Sequence, residues 1–357
     1  MPKHIAFLCG ILALAAGVAP AADYPAPAQG DYRIANFHFK SGQSLPELRM
    51  HYRTLGQPMR DGKGMVRNAV LIMHGTTGSG AQFIRSEFAG ELFAAGQLLD
   101  ARRYYIILPD DIGHGKSSKP SDGLRGAFPN YGYLDMIEAE HRLVADGFKV
   151  NHLRLVMGTS MGGMHTWLWG EKYPDFMDAL MPLACLPTQI SGRNRMWRTM
   201  ISESIRTDPS WKDGQYAAQP HGLRFAAQML YLVGSNPLLR YREAPTGAKA
   251  DKILDDFSDR AMKTMDANDV LYAVESSRDY DPGPALEAIR APLLAINSAD
   301  DLINPPDLGI LEREIRRVKR GKAVLIPESD QTRGHGTHTL AAVWKKHLEE
   351  LLRQSAR

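Results

Sequence analysis

Residues 153–164 read LRLVMGTSMGGM, and this stretch decides the fold. It begins with a short apolar run, which is typical of a strand buried on both faces, and it continues into an amphipathic segment with helical spacing. Between the two lies Gly158-Thr159-Ser160-Met161-Gly162, a G-x-S-x-G sequence in the strand–turn–helix context that this motif requires. Glycine at both ends of the motif lets neighbouring backbone approach closely, so the turn can expose the Ser160 hydroxyl. The motif predicts a nucleophilic serine.

Strands and helices alternate along most of the chain. Short apolar runs bounded by turn residues predict buried strands over Asn68–Met73, Tyr104–Leu108, Leu153–Met157, Ala179–Leu183, Pro292–Ile296 and Ala323–Ile326. Amphipathic stretches predict helices over Tyr133–Phe148, Met161–Tyr173, Asp307–Val318 and Thr337–Leu352. Nearer the N-terminus, two alternating segments around Ser41-Gly42-Gln43 predict an antiparallel hairpin. We therefore predict an α/β fold with a mostly parallel central sheet flanked by helices.

One interval interrupts this alternation. Residues 186–290 read as helices and loops, with helical patterns over Met196–Ile205, Leu223–Val233 and Ala250–Ser276. Because such a segment is too long for a simple connection, we interpret it as a helical cap inserted over one edge of the sheet. The predicted organisation is a signal peptide at 1–22, a core built from 23–185 and 291–357, and the cap between the two parts of the core.

The N-terminus has the order of a secretory signal peptide. Lys3 precedes an apolar run from Ile5 to Ala19, and Ala19 and Ala21 form an A-x-A cleavage signal. The run is too short to span the roughly 30 Å of hydrocarbon in a bilayer, which disfavours the alternative of an uncleaved anchor. We predict cleavage near Ala21 or Ala22, a periplasmic or secreted protein, and no stable membrane insertion after cleavage.

Composition excludes several classes of protein. The chain has 357 residues, 44% of them hydrophobic, which is enough for a full globular core and excludes disorder and disulfide miniproteins. Its 43 basic and 40 acidic side chains nearly balance, and no basic run is present, so no nucleic-acid partner is expected. Cys9 lies in the leader and leaves Cys185 alone, so the processed chain can form no intrachain disulfide. The oligomeric state stays open, a homodimer included.

The chain offers a base and an acid for the serine. A serine hydroxyl is a weak nucleophile near neutral pH and needs a base, which itself needs an orienting carboxylate. In the chain order typical of this motif the acid follows the serine and the histidine comes last. The loop after Pro292–Ile296 offers Asp301 as the acid, with Asp300 as the alternative. A glycine-flanked loop near the C-terminus offers His335 as the base, with His338 as the alternative.

Two backbone amides are candidates to stabilise the negative charge that develops in acyl transfer. Met161 N–H opens a helix directly after the serine, where the helix dipole favours an anion. The glycine-rich loop at residues 74–80 follows the first parallel strand and offers Thr76 N–H. His335 and His338 make an H-x-x-H pair without a third ligand, so no metal site is predicted. This chemistry requires no organic cofactor.

These residues resemble the α/β-hydrolase superfamily, and within it the homoserine O-acetyltransferase-like branch. The likeness extends over most of the mature chain. It includes Ser160-Met161-Gly162-Gly163-Met164 at the turn, and Asp208-Pro209-Ser210-Trp211 with Gly214, Tyr216, Pro220, Gly222 and Leu223 in the cap. The resemblance implies the α/β-hydrolase fold, with Ser160 as the acyl-accepting nucleophile, Asp301 as the acid and His335 as the base.

Three departures from the true transferases bear on the acyl acceptor. The sequence GHGKSSKP at residues 113–120 stands where they usually carry Gly-Ser-Thr-Gly-Pro, and Gly336 replaces their usual acidic residue after the histidine. Export would also place the protein where acetyl-CoA is not expected. We therefore expect a serine hydrolase acting on a carboxylic ester or related small-molecule acyl substrate, with water as the acceptor. Acyl transfer to homoserine or a similar alcohol is the alternative, and a binding protein on an inactive scaffold is the third hypothesis.

Overall fold

The computed structural model describes residues 24–356, which contain an eight-stranded sheet. The strands are β1 (Ala28–His38), β2 (Ser44–Leu55), β3 (Ala69–Met73), β4 (Tyr105–Pro109), β5 (Leu155–Thr159), β6 (Leu180–Leu183), β7 (Leu293–Ser298) and β8 (Gly321–Ile326). Their order across the sheet is β1-β2-β4-β3-β5-β6-β7-β8. β2 runs antiparallel to β1 and to β4, and the other neighbouring pairs are parallel. The predicted α/β fold with a mostly parallel sheet is confirmed.

The first two strands form the predicted hairpin. His38 pairs with Ser44, and the chain reverses between them. Phe39 N–H donates to the Gln43 carbonyl oxygen, and Gly42 N–H donates to the Phe39 carbonyl oxygen, each over 2.9 Å. Gly42 has φ +84°, a conformation that side chains other than glycine rarely adopt, so the turn sequence fixes where the strand reverses. β2 then pairs with β4, which attaches the hairpin to the parallel part of the sheet.

Helices cover the sheet on both sides. The α-helices are α1 (Ala89–Leu92), α2 (Tyr133–Arg142), α3 (Met161–Lys172), α4 (Gly192–Arg206), α5 (His221–Val233), α6 (Pro237–Glu243), α7 (Gly247–Thr264), α8 (Ala267–Glu275), α9 (Ile310–Glu314) and α10 (Ala341–Gln354). In β3, Ala69, Leu71 and Met73 pack into the apolar cluster that includes residues of α2 and α3. Val70 and Ile72 pack into the cluster that includes α1 and α10. Burial on both faces explains why the strand is continuously apolar.

Helices α4 to α8 occupy the interval between β6 and β7. They carry an apolar cluster of their own, which includes Trp197, Ile201, Ile205, Leu223, Ala226, Val270 and Leu271. The predicted helical stretch Ala250–Ser276 contains two helices, α7 and α8. Asp266 separates α7 from α8, and its carboxylate caps α8 by accepting hydrogen bonds from the amides of Asn268 and Asp269 over 2.9 and 3.2 Å.

The N-terminal leader lies outside the described residues. The predicted signal peptide and its cleavage site fall within residues 1–22, and the structural description begins at Tyr24. From Tyr24 to Ala356, no helix is both long enough and apolar enough to cross a bilayer. The division into core and cap at residues 185 and 290 stays a prediction.

Candidate active site

Ser160 sits on a strained turn between β5 and α3. Its backbone has φ +55° and ψ −110°, a combination that non-glycine residues rarely adopt. The turn is tight on both sides. A Cβ atom at Gly158 would lie 2.1 Å from the Gly162 carbonyl oxygen, and one at Gly162 would lie 2.1 Å from the Met73 carbonyl oxygen. Only glycine fits either position, so the glycines of the motif serve the geometry that exposes the serine.

His335 lies beside the serine. Its Nε2 atom is 2.8 Å from Ser160 Oγ, and its Nδ1 atom is 2.8 Å from Asp301 Oδ2. The alternative histidine, His338, makes no such contact, and its ring centroid lies 5.1 Å from that of His335. Burial lowers the pKa of His338 to about 3, and the nearby His335 adds to this effect, so His338 stays neutral in the folded protein. The structure therefore brings His335, not His338, to Ser160.

Asp301 is buried and well supplied with hydrogen-bond donors. Its Oδ1 accepts from the amides of Ile303 and Asn304 over 2.8 and 3.2 Å, and its Oδ2 accepts from Asn304 Nδ2 over 3.0 Å. Burial by itself would raise the pKa of the Asp301 carboxyl, but the charge of His335 and these hydrogen bonds outweigh it and lower the pKa. Asp301 is therefore held as a carboxylate facing the imidazole.

Asp300 faces away from the imidazole and braces the loop that carries it. Its Oδ2 accepts from the amide of Gly334 over 2.8 Å and from Asn236 Nδ2 over 2.5 Å, and its Oδ1 accepts from the Ser298 hydroxyl. Gly334 directly precedes His335, and Asn236 caps α6. Asp301 therefore contacts the His335 ring, whereas Asp300 holds the backbone of the preceding residue, Gly334.

The two candidate oxyanion amides flank the serine. Within residues 24–356, neither Met161 N–H nor Thr76 N–H donates a hydrogen bond to another residue. The loop that carries Thr76 lies close to the serine, since a Cβ at Gly75 would be 3.4 Å from Ser160 Cβ. Both amides are thus available to an oxygen atom of a substrate placed against Ser160.

A buried histidine, His74, supports this loop. His74 Nδ1 lies 2.8 Å from the Gly75 carbonyl oxygen, and the Asp111 amide donates to His74 Nε2 over 3.0 Å. His74 is therefore a neutral imidazole, with Nδ1 donating and Nε2 accepting. The contact therefore links the loop at residues 74–80, the candidate oxyanion loop, to the loop after β4.

Next to His74, two carboxyls and a second histidine share one enclosed space. His165 Nδ1 lies 2.9 Å from Glu140 Oε1, and Trp169 Nε1 donates to Glu140 Oε2 over 2.6 Å. Burial raises the pKa of Glu140 to about 7, and burial together with the charge of Glu140 raises the pKa of Asp111 well above its ordinary value. Within residues 24–356, Asp111, Glu140 and His165 are the one set of side chains spaced to hold a metal ion, with ligand atoms within 4.8 Å of one another. The raised pKa values favour a proton shared between the carboxyls.

A cleft runs along the border between the core loops and α8. It has a volume of about 520 Å³, and its wall includes Thr77 of the oxyanion loop, His114, Val270 of α8 and Thr339, four residues after His335. Both polar and apolar groups line it. The cleft therefore borders the loop that carries Thr76, and Ser160 itself is not part of its wall.

Most of the sequence matches a known family. Residues 68–326 match the family model for the alpha/beta hydrolase fold, and the chain therefore belongs to the α/β-hydrolase fold family. It is similar to a probable acyltransferase of Methanothermobacter thermautotrophicus, with 30% identity over 278 residues, 78% of this chain and 84% of the relative. It is also similar to the homoserine O-acetyltransferase of Chlorobaculum parvum, with 29% identity over 325 residues, 84% of this chain and 87% of the relative.

A solved structure gives the same result for the fold. The acetylester hydrolase from Corynebacterium glutamicum aligns with a TM-score of 0.77 at 21% identity, covering 92% of this chain and 96% of that one. The predicted resemblance to the α/β-hydrolase superfamily and to its homoserine O-acetyltransferase-like branch is confirmed. The prediction that the chain is an enzyme of this superfamily is confirmed with it.

Proposed function

We propose that this enzyme is a serine hydrolase that cleaves a carboxylic ester or a related acyl compound through an acyl-enzyme. One observation carries the proposal. Two consecutive contacts of 2.8 Å run from Ser160 Oγ to His335 Nε2 and from His335 Nδ1 to Asp301 Oδ2. With Nδ1–H donating to the carboxylate, Nε2 is free to accept the serine proton, which is the order of groups that nucleophilic serine catalysis needs.

In the first half of the reaction, Ser160 Oγ attacks the substrate carbonyl carbon and its proton passes to His335 Nε2. The carbonyl oxygen becomes an oxyanion, and the amides of Thr76 and Met161 donate to it. The bond to the leaving group then breaks, and His335 returns the proton to the departing oxygen, which leaves an acyl-serine. Losing one oxyanion donor typically lowers the rate by about 10²- to 10³-fold. Asp301 orients the imidazole and stabilises its charged form throughout.

In the second half, a water molecule takes the place of the leaving group. His335 removes a proton from the water as its oxygen attacks the acyl carbon, and a second oxyanion forms in the same position. When the bond to Ser160 Oγ breaks, His335 returns the proton to the serine, and the carboxylic acid departs. The enzyme is regenerated without a cofactor.

The test is the removal of the Ser160 hydroxyl. We expect Ser160→Ala to lower hydrolysis of p-nitrophenyl acetate by at least about 10⁴-fold and to abolish labelling by a fluorophosphonate probe, while unfolding stays cooperative. Ser191→Ala is the matched control, because Ser191 is exposed at the start of α4 and its side chain makes no capping hydrogen bond. Labelling that persists in the Ser160→Ala protein would exclude the assignment.

Acyl transfer to an alcohol is the second candidate function. The names of the relatives from Methanothermobacter and Chlorobaculum favour it. The same serine would carry the acyl group, and only the acceptor would differ. Incubation with acetyl-CoA and homoserine distinguishes the two, since hydrolysis predicts free acetate. If O-acetylhomoserine formed faster than acetate, transfer would replace hydrolysis as the proposed function.

We also propose that the enzyme works outside the cytoplasm. The support is the sequence of the leader, in which a lysine, an apolar run and an A-x-A signal follow one another. A periplasmic or secreted location suits a reaction whose second substrate is water.

A further inference from the structure

Asp111 is a buried carboxyl group that the proposed mechanism does not use. It lies in the loop after β4 and is fully buried. Neither of its oxygens receives an N–H or O–H from another residue in the described part of the chain. A buried carboxylate normally accepts several hydrogen bonds, as Asp301 does, so an ionised Asp111 would be left uncompensated. The surroundings of Asp111 instead suit an uncharged carboxylic acid.

The neighbouring carboxyl of Glu140 is well supplied with donors. Trp169 Nε1 donates to Glu140 Oε2 over 2.6 Å, and His165 Nδ1 lies 2.9 Å from Glu140 Oε1. The Glu140 carboxyl is also within hydrogen-bonding reach of Asp111. A hydrogen bond between two carboxyls needs a proton, and Glu140 is the one that accepts from other donors, so the proton belongs on Asp111. We call Asp111 and Glu140 the acid pair.

The groups around Asp111 are uncharged as well. Within residues 24–356, the ion-pair distances of its carboxyl are two of 3.7 Å, from Oδ2 to His74 Nε2 and to His165 Nδ1. His74 is neutral by its hydrogen bonds, and burial lowers the pKa of His165. Burial likewise keeps three further titratable neighbours neutral, namely His114, Tyr131 and Tyr133. Burial and the nearby Glu140 carboxylate raise the pKa of Asp111 well above its ordinary range, in agreement with the hydrogen-bond geometry.

The acid pair lies directly behind the histidine that holds the oxyanion loop. His74 Nε2 accepts from the Asp111 amide, and His74 Nδ1 donates to the Gly75 carbonyl oxygen. The Gly75 carbonyl and the Thr76 N–H belong to one trans peptide unit, which is planar and has these two bonds pointing in opposite directions. By holding the carbonyl, His74 therefore fixes the direction in which the Thr76 amide points.

A negative charge on Asp111 would undo this arrangement. Its Oδ2 atom lies 3.7 Å from His74 Nε2, so a carboxylate there would stabilise a proton on that nitrogen. A protonated Nε2 has no lone pair left to accept from the Asp111 amide, and the contact that holds the ring would be lost. The hold of His74 on the peptide between Gly75 and Thr76 would weaken with it.

We propose that Asp111 is a positioning residue for the oxyanion donor, and that it acts as an uncharged carboxylic acid whose proton is directed to Glu140. The inference rests on the proposed function for the role of the Thr76 amide and adds residues that act on that amide through His74. The proton keeps charge away from His74, so the amide stays aimed. A buried acid pair lowers stability, which favours a role in positioning over a role in folding.

Two single variants and their double variant test the charge on Asp111, with p-nitrophenyl acetate as the substrate above neutral pH. Asp111→Asn is uncharged and keeps a donor for Glu140, so we expect kcat within about threefold of the wild type. Glu140→Gln removes the acceptor of the proton and offers Asp111 an N–H instead, so Asp111 becomes a carboxylate. We expect its kcat to fall by about 10- to 100-fold with little change in KM, because oxyanion donors act on the transition state. The double variant should recover the rate of Asp111→Asn.

Recovery in the double variant separates positioning from a structural fault, since two faults in one buried pair would not cancel. Asp146→Asn is the matched control, because Asp146 is exposed in the turn after α2, and its kinetics should equal those of the wild type. Urea unfolding verifies that each variant is folded. A Glu140→Gln protein with the kcat of the wild type would overturn the inference. A folded Asp111→Asn protein that loses more than about 100-fold would do so as well, because an ionised Asp111 would then be required.

Infrared spectroscopy detects the proton itself and keeps the inference separate from catalysis. The difference spectrum between Ser160→Ala and the same protein with Asp111→Asn, taken at alkaline pH where Glu140 is ionised, should contain the C=O band of one protonated carboxylic acid. If this band is present but no ester is hydrolysed by the wild type, the proposed function fails and the acid pair stands. If esters are hydrolysed but the band is absent, the inference alone fails. One equivalent of a metal ion in the purified protein, lost in Asp111→Asn, would also overturn it, since ligand carboxylates carry no proton.

Discussion

The amide of Gly162 donates a hydrogen bond of 2.9 Å to the carbonyl oxygen of His74, which fastens the serine turn to the oxyanion loop. The contact joins backbone to backbone, so side-chain motion does not alter it. Ser160, on one side of it, and Thr76, on the other, are consequently held at a fixed spacing. Donors that are already in position when the oxyanion forms need no reorganisation during the reaction.

Gly162→Ala should destabilise the protein. The added Cβ would lie 2.1 Å from the Met73 carbonyl oxygen, and backbone has to move to relieve the clash. We expect the free energy of unfolding in urea to fall by about 1–3 kcal/mol or more, with loss of esterase activity. Gly247→Ala is the control, because a Cβ there meets nothing within 4 Å at the start of α7, and helix propensity predicts a gain of up to about 1 kcal/mol. Equal stability of Gly162→Ala and the wild type would contradict the packing argument.

Replacing the two neighbouring aspartates should separate their roles. Asp301→Asn removes the charge that faces His335 Nδ1, and we expect kcat to fall by about 10⁴-fold. Asp300→Ala removes the hydrogen bond to the Gly334 amide but leaves the contact between Asp301 and His335 in place. We expect the resulting misplacement of the loop to lower kcat by about 10- to 100-fold. Steady-state kinetics with p-nitrophenyl acetate measures both. A larger loss for Asp300→Ala than for Asp301→Asn would reverse the assignment.

Glu140→Gln should change how stability depends on pH. Below about pH 4.5 the carboxyl is protonated in both the folded and the unfolded chain. As the pH rises toward about 7, the folded pKa, only the unfolded chain releases the proton, so the free energy of unfolding falls and the loss is complete above that pH. The neutral amide of glutamine removes this contribution.

The comparison is made by urea unfolding of both proteins from about pH 4 to about pH 8. Relative to the wild type, Glu140→Gln should gain stability across this range, by up to about 3 kcal/mol. Asp146→Asn, in the turn after α2, serves as a control for loss of a carboxyl on the same segment. Parallel profiles for the wild type and Glu140→Gln would show that folding does not raise the pKa of Glu140.

The leader should direct export and be removed. When the full chain is produced in a bacterium, we expect the protein in the periplasm or medium with a first residue of Ala22 or Asp23. Replacing both Ala19 and Ala21 with arginine removes the small residues that the peptidase requires, so the precursor should accumulate. N-terminal sequencing of each fraction is the measurement, and a wild-type chain recovered from the cytoplasm with Met1 in place would refute export.

The sequence predicts well the features that depend on neighbouring residues in the chain. β3 and β5 are apolar throughout because helices cover both faces of the sheet, and the G-x-S-x-G turn has its glycines where backbone leaves no room for a Cβ. The choice between Asp300 and Asp301 could not be made in this way. The two residues have the same chemistry, and their directions depend on contacts with Asn236 and His335, which lie far away in the chain.

The sequence also could not predict the buried group formed by His74, Asp111, Glu140 and His165. Its members come from four separate segments, so no spacing in the sequence connects them. One signal was present, since Glu140 lies one turn from Ile137 and Met136 on the buried side of α2, where a charged residue needs a partner. The capping by Asp266 that divides α7 from α8 was likewise visible only as an aspartate within an amphipathic stretch.

A single oxygen, Asp300 Oδ2, accepts hydrogen bonds from Asn236 at the start of α6 and from the amide of Gly334 beside His335. The start of α6 and the backbone next to the His335 imidazole are therefore held by the same carboxylate oxygen. A displacement of α6 would therefore be transmitted through Asn236 and Asp300 to the backbone that carries His335. The placement of this cap helix and the reach of His335 toward Ser160 are thus coupled through one carboxylate.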